Sequence, residues 1–144
     1  MHYWDTSTLA KLYVAESDSA QFSAHWSQTG VITTSTLTRW EFFCVLARKE
    51  SGGLISSGAA EVIFNEFLAD VASGAVVLVP MSDPVEERFR NLVLRLCRSQ
   101  PPLLTRTLDG IHIATSDLHG ATEFVSTDGN LRKCATAIGL KVFP

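Results

Sequence analysis

Four carboxylates, Asp5, Glu41, Asp109 and Asp128, stand at or beside junctions between strand and helix signals. Asp5 ends the aromatic run His2-Tyr3-Trp4 and precedes Thr6-Ser7-Thr8, whose hydroxyls suit a helix start, with Leu9, Leu12 and Tyr13 following at helical spacing. Glu41 shares its helical face with Leu37, Trp40, Cys44 and Val45, which places its carboxylate inside an apolar stripe. A core-facing carboxylate must be paired, protonated or bound to metal, because its desolvation is costly. Asp109 falls in the first turn of a helix, and Asp128 follows the strand signal Glu123-Phe124-Val125-Ser126. Taken singly, each has an ordinary explanation: an N-cap for Asp5 and Asp128, the macrodipole for Asp109, and a Thr38…Glu41 capping box. The helix of Glu41 reads as starting earlier, at Ser35 or Thr36, which weighs against the box. Taken together they need another account. Acids after parallel strands converge at one sheet edge, and four crowded carboxylates repel unless a divalent cation neutralises them. Oxygen-only ligation suits Mg²⁺ or Mn²⁺, ions that activate water and clamp a phosphoryl group. Without metal, loss of one such charge is expected to leave stability unchanged or raised.

The elements that must position these acids alternate between strand and helix. A helix carrying Ala20, Phe22 and Trp26, capped by Ser17 or Asp18, ends at Gly30, and Val31–Thr34 is a β-branched strand. The stripe of Leu37, Trp40, Cys44 and Val45 runs on to Gly52-Gly53, and a second helix carries Ile63, Phe64, Phe67, Leu68 and Val71 to Gly74. Ala75–Pro80 is continuous rather than alternating, which predicts a buried, central-type strand. Asp83-Pro84-Val85-Glu86 predicts a helix with Asp83 as its cap and a core face of Val85, Phe89, Leu92, Val93, Leu96 and Cys97. After Pro101-Pro102 come a helix over Leu108–Leu118, the strand at 123–126, a helix from Asp128 to Gly139, and a last strand at Lys141–Phe143. The pattern predicts a parallel α/β sheet covered on both faces. It forms one domain over residues 1–144 with a helical hairpin at about 36–74.

At 46% hydrophobic residues the chain is a folded globular type, with no apolar run long enough to span a membrane and no charged leader. Cys44, Cys97 and Cys134 are widely spaced and odd in number, which predicts buried thiols in a reducing cytoplasm. A net charge of −3 argues against a broad electrostatic footprint for nucleic acid, but not against an acidic metal site acting on phosphate. His2, His25, His112 and His119 lack paired metal spacing, so zinc is not expected, and His112 reads as a satisfied structural histidine. Asp18 and Asp117 read as solvent-facing. Gly52-Gly53 lacks the context of a phosphate loop, and no serine has the partners of a nucleophilic triad.

The segments Asp5-Thr6-Ser7, Glu41 in its helix, Asp109-Gly110-Ile111-His112-Ile113-Ala114-Thr115 and Phe124–Leu131 together resemble a PIN domain. Within that family the chain is most similar to compact VapC-type toxins of prokaryotic toxin–antitoxin pairs. The resemblance implies a three-layer α/β/α fold with a five-stranded parallel sheet in the order 3-2-1-4-5, and Mg²⁺- or Mn²⁺-dependent endoribonuclease activity. It implies Asp5, Glu41, Asp109 and Asp128 as the catalytic and metal-binding quartet, with Ser7 and Ser126 as supporting hydroxyls. RNA substrate, a cognate antitoxin and a homodimer are the partners it implies, with no membrane. Gly110 stands where the family usually has alanine, and Ser126 where it usually has threonine. RNA approaching an acidic pocket needs cations at the rim, for which Arg39, Arg106, Arg132 and Lys133 flank the acids, whereas Arg88, Arg95 and Arg98 read as a solvated helix face. Phe42 and Phe43 fall off the main stripe and need a further surface. An aspartyl-phosphate enzyme would need a second acid beside Asp5 or two residues on, where Thr6 and Ser7 stand. A non-catalytic RNA-binding or dimerisation module with a PIN-like fold predicts a lost acid, and all four are present.

Overall fold

The structure, a computed structural model, describes residues 1–144. Five short strands, β1 (His2–Trp4), β2 (Ile32–Ser35), β3 (Val76–Val79), β4 (Glu123–Val125) and β5 (Lys141–Phe143), form an all-parallel sheet in the order β3-β2-β1-β4-β5. The chain switches direction at β1, so the ends of β1 and β4 lie side by side with Trp4 opposite Val125. That switch point is the place where open α/β sheets bind ligands.

Alternation along the strands divides the core in two. Trp4 and Val125 face a cluster with Leu9, Phe22, Phe42, Leu46 and Phe67, contributed by α1 (Thr6–Tyr13), α2 (Ser19–Thr29), α3 (Thr38–Ser51) and α4 (Ala59–Ser73). Tyr3 and Phe124 face the other, with Val85, Leu92, Leu96, Ile113, Leu131 and Cys134 from α5 (Asp83–Cys97), α6 (Thr107–Leu118) and α7 (Gly129–Ala137). This is the three-layer α/β/α arrangement with the expected strand order.

The expected elements differ from the observed ones in four informative places. The continuous apolar strand β3 is an edge strand, and Val77 is exposed, because β3 has a partner only on the β2 side. Ser82 rather than Asp83 is the N-cap of α5, so Asp83 and Pro84 occupy its first turn. Cys44 and Cys97 are exposed and only Cys134 is buried. Most important, the buried face of α3 is Thr38, Phe42 and Leu46, while Trp40 is 61% exposed. Phe42 packs on Tyr13, Phe64 and Phe67 inside the protein, and Phe43 lies half over Phe64 at the surface. Asp18 and Asp117 are also drawn inward, into ion pairs with Lys11 and Arg88.

Candidate active site

The carboxyl ends of β1 and β4 open into a cavity of about 860 Å³ lined by Asp5, Glu41, Asp109 and Asp128. The face of α3 that reads as core in sequence (Leu37, Trp40, Cys44 and Val45) forms one wall of it, which is why Glu41 sits among apolar residues. The cavity also receives Ser7, Arg48, Arg106 and His112. Ser126 does not line it but reaches it through Asp5.

Asp5 is 4% exposed and is held from four sides. Its Oδ1 accepts from Thr8 N at 2.8 Å, capping α1, and from the hydroxyls of Thr8 and Ser7 at 2.7 and 2.9 Å. Its Oδ2 accepts from Ser126 Oγ at 2.5 Å. The two serines thus fix the carboxylate by different oxygens. Asp128 caps α7: its Oδ1 accepts from the backbone of Asn130 and Leu131 at 2.9 and 2.8 Å, and its Oδ2 faces Arg106 at 3.4 Å. The same arginine donates through Nε to Asp109 Oδ2 at 2.8 Å. The chain's own guanidinium therefore bridges two of the four acids, although its side chain is 77% exposed. The charges of Asp109, by direct hydrogen bond, and of Asp128 and Glu41 more remotely hold Arg106 above its ordinary pKa.

Glu41 takes no part in a capping box. Leu37 is the N-cap of α3, and Glu41 Oε2 accepts instead from Thr6 Oγ1 at 2.5 Å and His112 Nε2 at 2.8 Å. His112 is 3% exposed and pairs with Glu41. Its Nδ1 lies 2.8 Å from the Tyr3 hydroxyl. Burial pushes the Tyr3 phenol upward, so it stays protonated. Donating to Nδ1, it leaves Nε2–H to donate to Glu41. Burial also pushes Glu41 up, but the hydrogen bonds from His112 and Thr6, with the Arg106 charge nearby, outweigh it and hold the carboxyl below its usual range.

No three of the quartet bring oxygens within 4.8 Å of one another. The donor chemistry nevertheless fits a hydrated divalent ion. Both Glu41 hydrogen bonds fall on Oε2 and Arg106 takes only Oδ2 of Asp109, so Glu41 and Asp109 each keep a second oxygen, and the Arg106 guanidinium marks where positive charge is favoured. Of the proposed rim cations, Arg106 lines the cavity; Arg132 turns back to the Ser126 carbonyl at 3.1 Å, and Arg39 and Lys133 are exposed outside it. Arg48, on the third turn of α3, lines the cavity and was not expected there. Its i, i+4 relation to Cys44, whose carbonyl accepts from its Nε at 3.1 Å, is the signal that could have found it.

A family model described as "PIN domain" matches residues 3–137. The chain belongs to the PIN domain family. Among solved structures it is similar to FitAcB from Neisseria gonorrhoeae, with TM-score 0.72 and 17% identity, covering 100% of this chain and 97% of that one. It is also similar to VapC20 from Mycobacterium tuberculosis, described as a sarcin–ricin loop cleaving toxin, with TM-score 0.70 and 18% identity over 97% and 96%. VapBC2 from Rickettsia felis, bound to a DNA fragment from its promoter, gives TM-score 0.69 and 14% identity over 99% and 98%. A comparison with curated proteins finds no significant match. At these identities the solved structures establish the PIN fold. Within it, Gly110 has a local reason: a Cβ there would lie 2.6 Å from the Phe89 ring, so the phenyl group occupies the space a family alanine would use.

Proposed function

We propose that this PIN domain, acting as one unit over residues 1–144, is a Mg²⁺- or Mn²⁺-dependent endoribonuclease and the toxin of a toxin–antitoxin pair in the cytoplasm. The observation that carries the proposal is the convergence of Asp5, Glu41, Asp109 and Asp128 on one cavity at the sheet's switch point. The likeness to VapC20, a sarcin–ricin loop cleaving toxin, and to toxin–antitoxin complexes among the similar folds supports it.

In this reading Asp5, Asp109 and Asp128 hold the metal, directly or through water, and Glu41 ligates it or orients the attacking water. A divalent ion held there supplies charge neutralisation of the phosphate and acidification of water. The chain's residues do the rest. Ser7, Thr8 and Ser126 fix Asp5 in one rotamer. His112 and Thr6 engage one oxygen of an ionised Glu41, and so orient the other as an acceptor for water. Arg106 and Arg48 offer charge to the RNA backbone at the rim. Trp40, Phe43 and Leu108, all exposed on or beside this wall, are the apolar surface through which a homodimer or antitoxin would be held. No helix is long and apolar enough to cross a membrane.

The test is cleavage of end-labelled structured RNAs by the purified chain with Mg²⁺, Mn²⁺ or chelator. Metal-dependent cleavage that is abolished in Asp109→Asn and Asp128→Asn is expected. Cleavage retained in both variants, or undiminished in chelator, would overturn the assignment.

A further inference from the structure

At the opposite edge of the sheet from the acidic cavity, three side chains from distant parts of the chain meet. His2 begins β1 and Glu123 begins β4; they are paired in register on neighbouring parallel strands and project to the same face. His25 reaches them from α2, which covers that face. Glu123 Oε2 lies 2.9 Å from His2 Nδ1 and 2.6 Å from His25 Nε2, and the three ligand atoms all fall within 4.8 Å of one another.

From this geometry we propose a second cation site, separate from the quartet, in which His2 Nδ1, His25 Nε2 and a Glu123 oxygen bind Zn²⁺ or a similar late first-row ion. Two imidazole nitrogens and one carboxylate are a donor set suited to Zn²⁺ and poorly suited to Mg²⁺, which prefers oxygen. Three protein ligands leave a fourth tetrahedral position to water, and the side chains are 32%, 11% and 17% exposed for His2, His25 and Glu123, enough for entry of a hydrated ion.

The surroundings hold the donors in place. The His25 ring stacks on Phe143 with centroids 3.8 Å apart and planes 8° from parallel, and Trp4 lies against it at 5.9 Å. His2 meets His25 edge-on at 5.8 Å. Two ring nitrogens thus aim at one carboxylate oxygen, an arrangement in which a cation replaces two protons. Tetrahedral zinc with bonds of about 2.0–2.1 Å separates its donors by roughly 3.3 Å, so Glu123 Oε2 must draw back by roughly 0.4 Å from His2 Nδ1 and roughly 0.7 Å from His25 Nε2. Burial raises the Glu123 carboxyl, but hydrogen bonds from His2 and His25 outweigh it and hold the group below its usual range, so it is ionised at neutral pH. An ion there would tie β1, α2 and β4 together and stabilise only the folded chain.

The experiment is Zn²⁺ titration of the purified full chain by calorimetry and thermal melting, with Co²⁺ as a visible-absorption probe. The variants are His25→Gln, Glu123→Gln, His2→Gln and the double variant Asp109→Asn/Asp128→Asn. One equivalent of Zn²⁺ bound at micromolar affinity or tighter, a Tm rise of about 5 °C, and a four-coordinate Co²⁺ spectrum are expected. Binding should persist in the double variant and fall at least tenfold in each of the other three. His2 is the most exposed member, so His2→Gln remains informative should a variant at the two more buried positions fail to fold. Absence of stoichiometric Zn²⁺ binding, or binding that survives His2→Gln and disappears with the quartet variant, would overturn the proposal.

Discussion

Replacing Asp5 by asparagine should destabilise the metal-free protein, against the expectation that loss of a crowded negative charge is neutral or helpful. The carboxylate is 4% exposed and accepts four hydrogen bonds. A hydrogen bond to a charged group contributes about 1.5–3 kcal/mol and a neutral one about 0.5–1.5, so four weakened bonds cost about 4–6 kcal/mol. Asparagine also turns Oδ2 into a donor facing Ser126 Oγ, which already accepts from Asp128 N at 3.1 Å, and the serine proton loses its acceptor. The α1 macrodipole loses an anion worth about 0.5–1 kcal/mol. Relief of repulsion among the acids offsets more than half of this at an effective dielectric near 20, which leaves a net loss of about 2 kcal/mol. For a chain of this length that is a Tm fall of roughly 6 °C. Asp109→Asn is the internal control: its carboxylate is bonded only to an arginine that is itself 77% exposed, so its Tm should stay level or rise. The assay is thermal melting of wild type, Asp5→Asn and Asp109→Asn in chelator. An Asp5→Asn protein that melts at or above wild type would refute the view that its hydrogen bonds outweigh the repulsion.

Glu41→Gln should cost about 1–3 kcal/mol at pH 7. Because the folded carboxyl is held below its ordinary value of 4.5, that contribution is full above pH 4.5 and is lost as pH falls through the lower folded value, so urea midpoints of wild type and variant should converge in acid. Arg106→Gln removes the guanidinium shared by Asp109 and Asp128 and should lower the Mg²⁺ concentration that half-saturates the thermal shift; an unchanged titration would show that the arginine does not compete with metal. Trp40→Glu and Phe43→Glu should leave Tm nearly unchanged while reducing self-association in light scattering, whereas Phe42→Glu should unfold the protein, since Phe42 is fully buried and a charge there has no partner.

What the sequence made legible was whatever is encoded locally or by strong alternation. The strand–acid–helix units around Asp5 and Asp128 are of that kind: each acid is a helix cap observed to bond the amides just after it, so position alone locates the side chain within a turn. The parallel order follows from the alternation of elements. The edge position of β3 is different, because a continuous apolar strand reads the same whether one neighbour or two will pair with it. The exposure of Cys44 and Cys97 was hidden for a related reason: helical spacing identifies a face without saying what the face meets.

The two faces of α3 show how this limit bears on function. Leu37, Trp40, Cys44 and Val45 and the alternative set Thr38, Phe42 and Leu46 have comparable spacing, and periodicity cannot decide between them. The fold decides by tertiary contact. Phe42 enters the aromatic cluster of Tyr13, Phe64 and Phe67, Thr38 meets the Thr34 hydroxyl at 2.7 Å, and the other stripe is left to line the cavity. Glu41 therefore needs no burial in the hydrophobic core to explain its apolar neighbours; it needs a polar partner in a half-open pocket. His112 supplies that partner from 71 residues away and is itself anchored by Tyr3 from β1. A histidine that reads as merely structural in the linear chain thus joins the central strand to the cavity, and the orientation of Glu41 depends on a side chain no local motif connects to it.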